Sequence, residues 1–314
     1  MENSLQITTT GTMTTTAAIT EELYRRFISF CDAKPQTVKT YTVALQTLFG
    51  YLNAQQISRP DADDIIRYKS FLLDQYKACT VSLYMTACRL FFRWTAQRGY
   101  YPNIADHIKG AKIDRTPKRD YLTGAQIKDV LNTTDRNTLT GKRDYAILAL
   151  MTAAGLRDTE VSRANVEDLR PAGDNMALYI QGKGKDDKAA SVIIPAEVER
   201  AIRAYLAERG EIEPTAPLFV SASNHANGER LTTRSISRIV KQHFAKAGFV
   251  SDKLTAHSLR HTAITLSLLA GRTAQETQTF ARHADISTTM IYAHNLDDIQ
   301  TKTACSNAVA AAIF

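Results

Sequence analysis

The chain has 314 residues, of which 44% are hydrophobic and 23% charged, a globular composition long enough for two domains that each bury a core. Lys and Arg outnumber Asp and Glu by 13 to 10 over residues 1–114 and by 26 to 22 over residues 115–314, so the net charge of +7 is shared by both parts, as expected of a protein that meets a polyanion with each. There is no run of roughly 18 apolar residues to span a membrane, and four scattered cysteines without a CxxC pair argue against a zinc ribbon or disulfide framework and for a reducing compartment.

Residues 1–18 form a Thr-rich leader with neither a basic nor an apolar signal region, which predicts a mobile segment and a cytoplasmic protein. Residues 19–103 read as a four-helix domain. Pro35 opens a helix carrying the stripe Val38, Tyr41, Leu45, Leu48 and Leu52. A helix with Asp in its first turn follows, with Ile65, Ile66, Tyr68, Phe71 and Leu72. The next is expected to start at a Thr80 cap and to end at Gly99. Residues 104–120, with prolines and alternating charge, read as an interdomain linker, either solvated or lying along a phosphate backbone.

A mixed domain is expected over 121–296. Helices are predicted at 124–132, 141–154, 196–208, 232–247, 257–270 and 274–282. Strands "MALYIQ" (176–181) and "ASVIIP" (190–195) flank a Gly/Lys/Asp turn, with a third strand near 166–170. Residues 297–314 read as a terminal helix with an apolar end. The fold class is α+β, mainly α, with a small antiparallel sheet. The exposed faces of helices 80–98 and 232–247, with Arg89, Arg93, Arg234, Arg238 and Lys241, either meet DNA or are simply solvated.

The stretch "HSLRHTAIT" (257–265) is the densest in chemistry. At 100° per residue His257, Arg260 and His261 fall within about 100° of one another on one helical face. A buried polar cluster of this kind needs a partner. Two histidines at i and i+4 suit a metal, but no carboxylate lies between them and Arg260 points to the same space. An anion suits the planar guanidinium better. Elsewhere, Arg157 follows Gly155 and has Glu160 one turn on to orient it. Lys183, Lys185 and Lys188 sit in a hairpin, and His283 precedes Tyr292 by nine residues, with Ser287 as a possible cap between them.

Together, "GLRDTEV", "GKGK", "HSLRHTAIT" and "RHADISTTMIY" resemble the tyrosine recombinase (phage integrase) family over about residues 120–295, and more loosely its helical core DNA-binding (SAM-like) domain before them. The resemblance implies that Tyr292 is the nucleophile, that Arg157 and Arg260 hold the scissile phosphate, that Lys183 protonates the leaving 5′-oxygen, and that His257 and His283 line the phosphate, with His257 the base candidate. It also implies no cofactor and no metal. The partners it implies are double-stranded DNA sites, further protomers in a tetramer packed through 297–314, and an accessory or directionality protein. His261 has no role in that pattern and reads as structural support. The family's Leu-Gly before the second histidine is here Ala281-Arg282, and Lys185 could stand in for Lys183. The leader is short for an arm-binding domain, which points to a two-domain Xer- or transposon-like enzyme. Competing readings are a type IB topoisomerase, which relaxes DNA without exchange, and a DNA-binding regulator that does not cut.

Overall fold

Residues 19–112, 120–181, 187–222 and 227–314 are described by a computed structural model, in which the chain forms two compact units, Met1–Asp114 and Arg115–Phe314. The first is helical: α1 (Glu21–Phe30), α2 (Pro35–Ala54), α3 (Ala62–Gln75) and α4 (Ala78–Gln97). Leu45, Leu48 and Leu52 of the α2 stripe are buried among Phe49, Tyr68, Phe91 and Phe92. Asp61 caps α3 through a reciprocal bond with Asp64. Helix α4 begins two residues before Thr80, with Lys77 at its N-cap and no side-chain cap; burial of Val81 and Met85 fixes it without one.

The first part of the expected linker belongs to this unit. Ala105 is fully buried, and Ile104, Ile108 and Ala111 pack on the same core. Arg89 ties the segment down by donating to the Ile108 carbonyl at 2.9 Å and to Thr86 Oγ1 at 3.1 Å. That guanidinium is thus already engaged, whereas Arg93 on the same helix is exposed. The leader and residues 113–119 lie outside the described residues.

The second unit is mixed. It contains α5 (Gly124–Asn132), α6 (Leu139–Ala153), α7 (Asp158–Arg163), β1 (Leu169–Ala172), β2 (Asn175–Ile180), β3 (Ala190–Ile194), α8 (Ala196–Arg209), α9 (Thr233–Lys246), α10 (Ala256–Leu269), α11 (Ala274–Ala281) and α12 (Ser287–Ile313). The strands form an antiparallel sheet with β2 central, Leu178 facing Leu169 on one side and Val192 on the other. The third strand starts later than expected because Val166–Asp168 form a 3-10 turn closed by Asn165 and Asp168. Helix α6 runs through the core, with Ala146 to Met151 all buried.

Two elements expected separately are one. Helix α12 carries both Tyr292 and the terminal segment; Ser287 is its first residue rather than a cap, and Ile286 holds the N-cap position. Residues 297–314 are exposed throughout. No helix among the described residues is long and apolar enough to cross a membrane.

The start of α6 is packed to the limit. Gly141 donates to its cap, Thr138 Oγ1, at 3.1 Å, and a Cβ added there would fall 1.9 Å from the Asp135 carbonyl oxygen. Alanine is the better helix former by about 1 kcal/mol, but a forced backbone shift costs more. Gly141→Ala is expected to destabilise the second unit by about 2 kcal/mol in a denaturant melt; a stabilised variant would show that the close approach is absent.

Candidate active site

Helix α6 ends at Ala153, and the chain turns through Gly155, whose φ of +58° and proximity to the Phe280 ring (3.2 Å from an added Cβ) both favour glycine. The turn delivers Arg157 to the N-cap of α7. Its backbone N–H donates to Glu160 Oε2 at 2.9 Å and its Nη1 to Oε1 at 2.7 Å, the pairing expected from the sequence. Glu160 is 2% exposed. Burial pushes its carboxyl up, but the Arg282 and Arg157 charges and the Arg157 N–H outweigh this and hold it below the usual range.

A reciprocal cap between Thr255 and Ser258 starts α10 and places "HSLRH" in its first turns. His257 is exposed, His261 half-buried and Arg260 1% exposed. The buried guanidinium has its partners: Nη1 donates to the Gly155 carbonyl and Nη2 to the Ala281 carbonyl. Burial, then the Arg157 and Arg282 charges, bring its pKa down to about 9.

Helix α11 closes at Arg282, which adopts the left-handed conformation (φ 55°, ψ 43°) in place of a glycine, a cost of about 1–2 kcal/mol for a residue with a Cβ. Its side chain offsets this. Nη2 donates to Glu160 Oε2 at 2.9 Å and to the Gly155 carbonyl at 3.2 Å, and Nη1 to the Phe280 carbonyl at 2.9 Å. The corner then delivers His283, whose Nδ1 lies 2.9 Å from the buried hydroxyl of Thr289. Burial first, then Arg260, Arg157 and Arg282, hold His283 down at about 4. One turn and a half into α12, the Tyr292 hydroxyl stands 3.4 Å from His261 Nε2. The Tyr292 ring lies 5.0 Å from that of His261 and 6.4 Å from that of His283, nearly parallel to the latter.

The structure therefore brings Arg157, Arg260, His283 and Tyr292 together, with His257 one ring further out, 4.8 Å from His261. Lys183 and Lys185 lie outside the described residues. Lys188 is ion-paired with the buried Asp168 and so is anchored at the base of the hairpin. Sequence reasoning gave His261 only a supporting role, yet it is the histidine at the Tyr292 hydroxyl; its place on the face shared with His257 and Arg260 was the available signal. Arg282 carried a weaker one, an arginine where a helix ends. Among the described residues no three His, Cys, Asp or Glu side chains converge as a metal-binding group.

Comparison with known proteins gives the family. The description "Phage integrase family" matches residues 120–298, and "Phage integrase, N-terminal SAM-like domain" matches residues 21–99. A protein named tyrosine recombinase XerC from Herpetosiphon aurantiacus is 30% identical over 277 residues, 85% of this chain and 87% of that one. A tyrosine recombinase of Synechococcus elongatus is 29% identical over 280 residues, 85% and 87% of the two chains. The crystal structure of the XerH site-specific recombinase bound to palindromic difH substrate shares the fold, with a TM-score of 0.72 at 20% identity over 86% of this chain and 79% of that one. The chain belongs to the phage integrase family, the tyrosine recombinases.

A pH dependence follows from His283. Its pKa is lower in the fold (about 4) than in the unfolded chain (6.5), so the unfolded state binds more protons between these values. Stability is complete above pH 6.5 and is lost as pH falls from 6.5 through about 4. In His283→Gln the thermal midpoint is expected to fall less over this window than in the wild type; parallel curves would show that His283 titrates normally.

Proposed function

We propose that this protein cleaves and rejoins double-stranded DNA at specific sites through a 3′-phosphotyrosyl intermediate, with Tyr292 as nucleophile. The observation that carries the reading is the convergence of a tyrosine hydroxyl, two histidines and two arginines from α7, α10, α12 and the α11 corner. Its relatives' names, tyrosine recombinase and site-specific recombinase, support it.

The residues divide the chemistry. The Tyr292 oxygen attacks the scissile phosphorus, the bond to the 5′-oxygen breaks, and charge grows on the non-bridging oxygens. Arg157 and Arg260 stabilise that charge; each Arg260 Nη nitrogen bonded to a carbonyl still carries a second N–H to offer. Arg260 is almost inaccessible in the free chain, so phosphate engagement includes a local opening. His283 donates from Nε2 in the tautomer where Thr289 donates to Nδ1. The tyrosine proton passes to His261, with exposed His257 placed to meet the DNA phosphate, and Lys183 supplies a proton to the leaving 5′-oxygen. The phosphotyrosyl ester conserves the bond, so the 5′-hydroxyl restores the DNA without ATP or a metal.

Binding is assigned to both units. Exposed Arg234, Arg238 and Lys241 line one open groove on α9, of about 570 Å³ with Thr232 and Gln242. The first unit acts as the core DNA-binding domain (19–103) and the second as the catalytic domain (121–296), joined by a short linker. The protein works as a tetramer on two sites, in integration and excision of a mobile element or in chromosome dimer resolution, with an accessory or directionality protein where one is needed. The exposed apolar residues of the terminal segment, Ile299, Val309, Ile313 and Phe314, are the surface for a neighbouring protomer.

Covalent trapping tests the reading. Nicked duplexes tiled from DNA flanking the gene are incubated with protein in EDTA and quenched with SDS. The wild type is expected to give an SDS-resistant adduct and Tyr292→Phe none. An adduct retained by Tyr292→Phe would remove Tyr292 as nucleophile, and specific binding without any adduct would favour a non-cutting regulator. Plasmid relaxation without strand exchange would identify a topoisomerase.

Assembly has its own test. Deleting residues 303–314 is expected to leave single-site binding unchanged and to weaken the two-site complex in gel shift at least tenfold. Equal assembly by the truncated chain would rule out the terminal segment as the contact.

A further inference from the structure

We propose that Arg282 is a positioning residue of the strand-transfer site, holding the buried Glu160 carboxylate so that Arg157 and the Gly155 turn keep the phosphate-binding arrangement. This rests on the strand-transfer reading above. Arg282 occupies a left-handed backbone position, one of two held by a residue other than glycine among the described residues. An arginine there is useful only through its side chain.

That side chain joins the elements that form the anion cradle. Glu160 is shared: Arg157 binds it from its own α7, and Arg282 from the end of α11. The Gly155 carbonyl is shared too, by Arg282 Nη2 and Arg260 Nη1. The corner that carries Arg282 also supplies the Ala281 carbonyl to Arg260 Nη2. One residue pair, 281–282, thus holds Arg260 through a backbone oxygen and Arg157 through the carboxylate. Arg282 Nε is buried without a partner, so the guanidinium sits where its outer two nitrogens are satisfied and its inner one is not.

Charge supports the same role. Arg157, Arg260 and Arg282 surround a single carboxylate. With Arg282 present, Glu160 is neutralised twice over and Arg157 keeps its field for a phosphate. With glycine there, Glu160 would draw on Arg157 alone. Arg282 does not need to touch the substrate; it acts through Glu160 and the turn.

The experiment compares wild type, Arg282→Gly, Arg282→Lys, Glu160→Gln and the double variant Glu160→Gln with Arg282→Gly. Single-turnover adduct formation on a trapped nicked duplex is measured at saturating protein, alongside DNA affinity. Glycine fits the backbone, so Arg282→Gly is expected to fold and to bind DNA within about threefold of wild type. Its adduct rate should fall by roughly 10- to 100-fold, and Arg282→Lys should recover at least part of it. The double variant should lose no more than the worse single variant, as for residues acting in one unit. A wild-type rate in Arg282→Gly would overturn the proposal, as would fully multiplicative losses in the double variant or equal loss of rate and affinity that lysine does not restore. Stabilisation by inorganic phosphate in a thermal melt separates this from the parent reading. If the wild type forms no adduct, strand transfer fails. Arg282 then stands if Arg282→Gly needs about tenfold more phosphate for the same shift, and falls if the two respond alike.

Discussion

Three guanidiniums around one buried carboxylate set the character of the second unit. Arg157 and Arg282 bind Glu160, Arg260 binds the Gly155 and Ala281 carbonyls beside it, Arg282 shares the Gly155 carbonyl, and Arg260 and Glu160 are almost wholly removed from water. Like charges about 5 Å apart at an effective dielectric of about 20 repel by roughly 3 kcal/mol. One carboxylate and a few carbonyl dipoles offset only part of this. Burial first, and the positive charges after it, hold His283 down at about 4 and Arg260 at about 9. In the proposed reaction, a phosphodiester brings negative charge to this cluster. Stabilisation of a transition state depends on dipoles and charges fixed in advance rather than gathered during the reaction.

Such a cluster persists only if the scaffold over-determines it. The Gly155 turn is wedged against Phe280, α6 behind it is buried from Ala146 to Met151, and Leu122 donates its backbone N–H to Thr262 Oγ1 at 2.9 Å, pinning the start of the unit to α10. The left-handed corner at Arg282 is one more strained feature held in this way. Strain of this kind gathers at functional sites because the surrounding packing can bear it.

Much of this was legible in the chain. The α2 stripe, the hairpin strands and the polar first turns of α10 follow from periodicity, which reports burial directly. The pairing of Arg157 with Glu160 is local, at i and i+3. What was not legible depended on tertiary contact. Thr80 looked like a cap, but buried Val81 and Met85 start α4 earlier. Ile104, Ile108 and Ala111 looked like linker because three apolar residues among charges show no clear period; only the core they cover explains them. The terminal helix was legible, but its continuity with the segment that carries Tyr292 was hidden because Asp297, Asp298, Gln300 and Lys302 between them show no apolar stripe. Arg282 could be noticed as a departure from glycine, but its bond to Glu160, 122 residues away, could not be read from spacing.

The same geometry explains why two histidines four residues apart serve differently. His257, Arg260 and His261 share a face of α10, yet they form a gradient of depth: exposed, buried and half-buried in turn. Helix α12 crosses near the second turn, so Tyr292 meets His261 and leaves His257 facing outward. In the proposed reaction, the nucleophile has its proton acceptor on the protein side, where packing fixes the distance. The same proposal leaves His257, exposed on this face, open to a phosphate that arrives from solvent. One helical face supplies both, since the 100° step that groups the side chains also carries them along the axis by about 1.5 Å per residue, from the surface into the site.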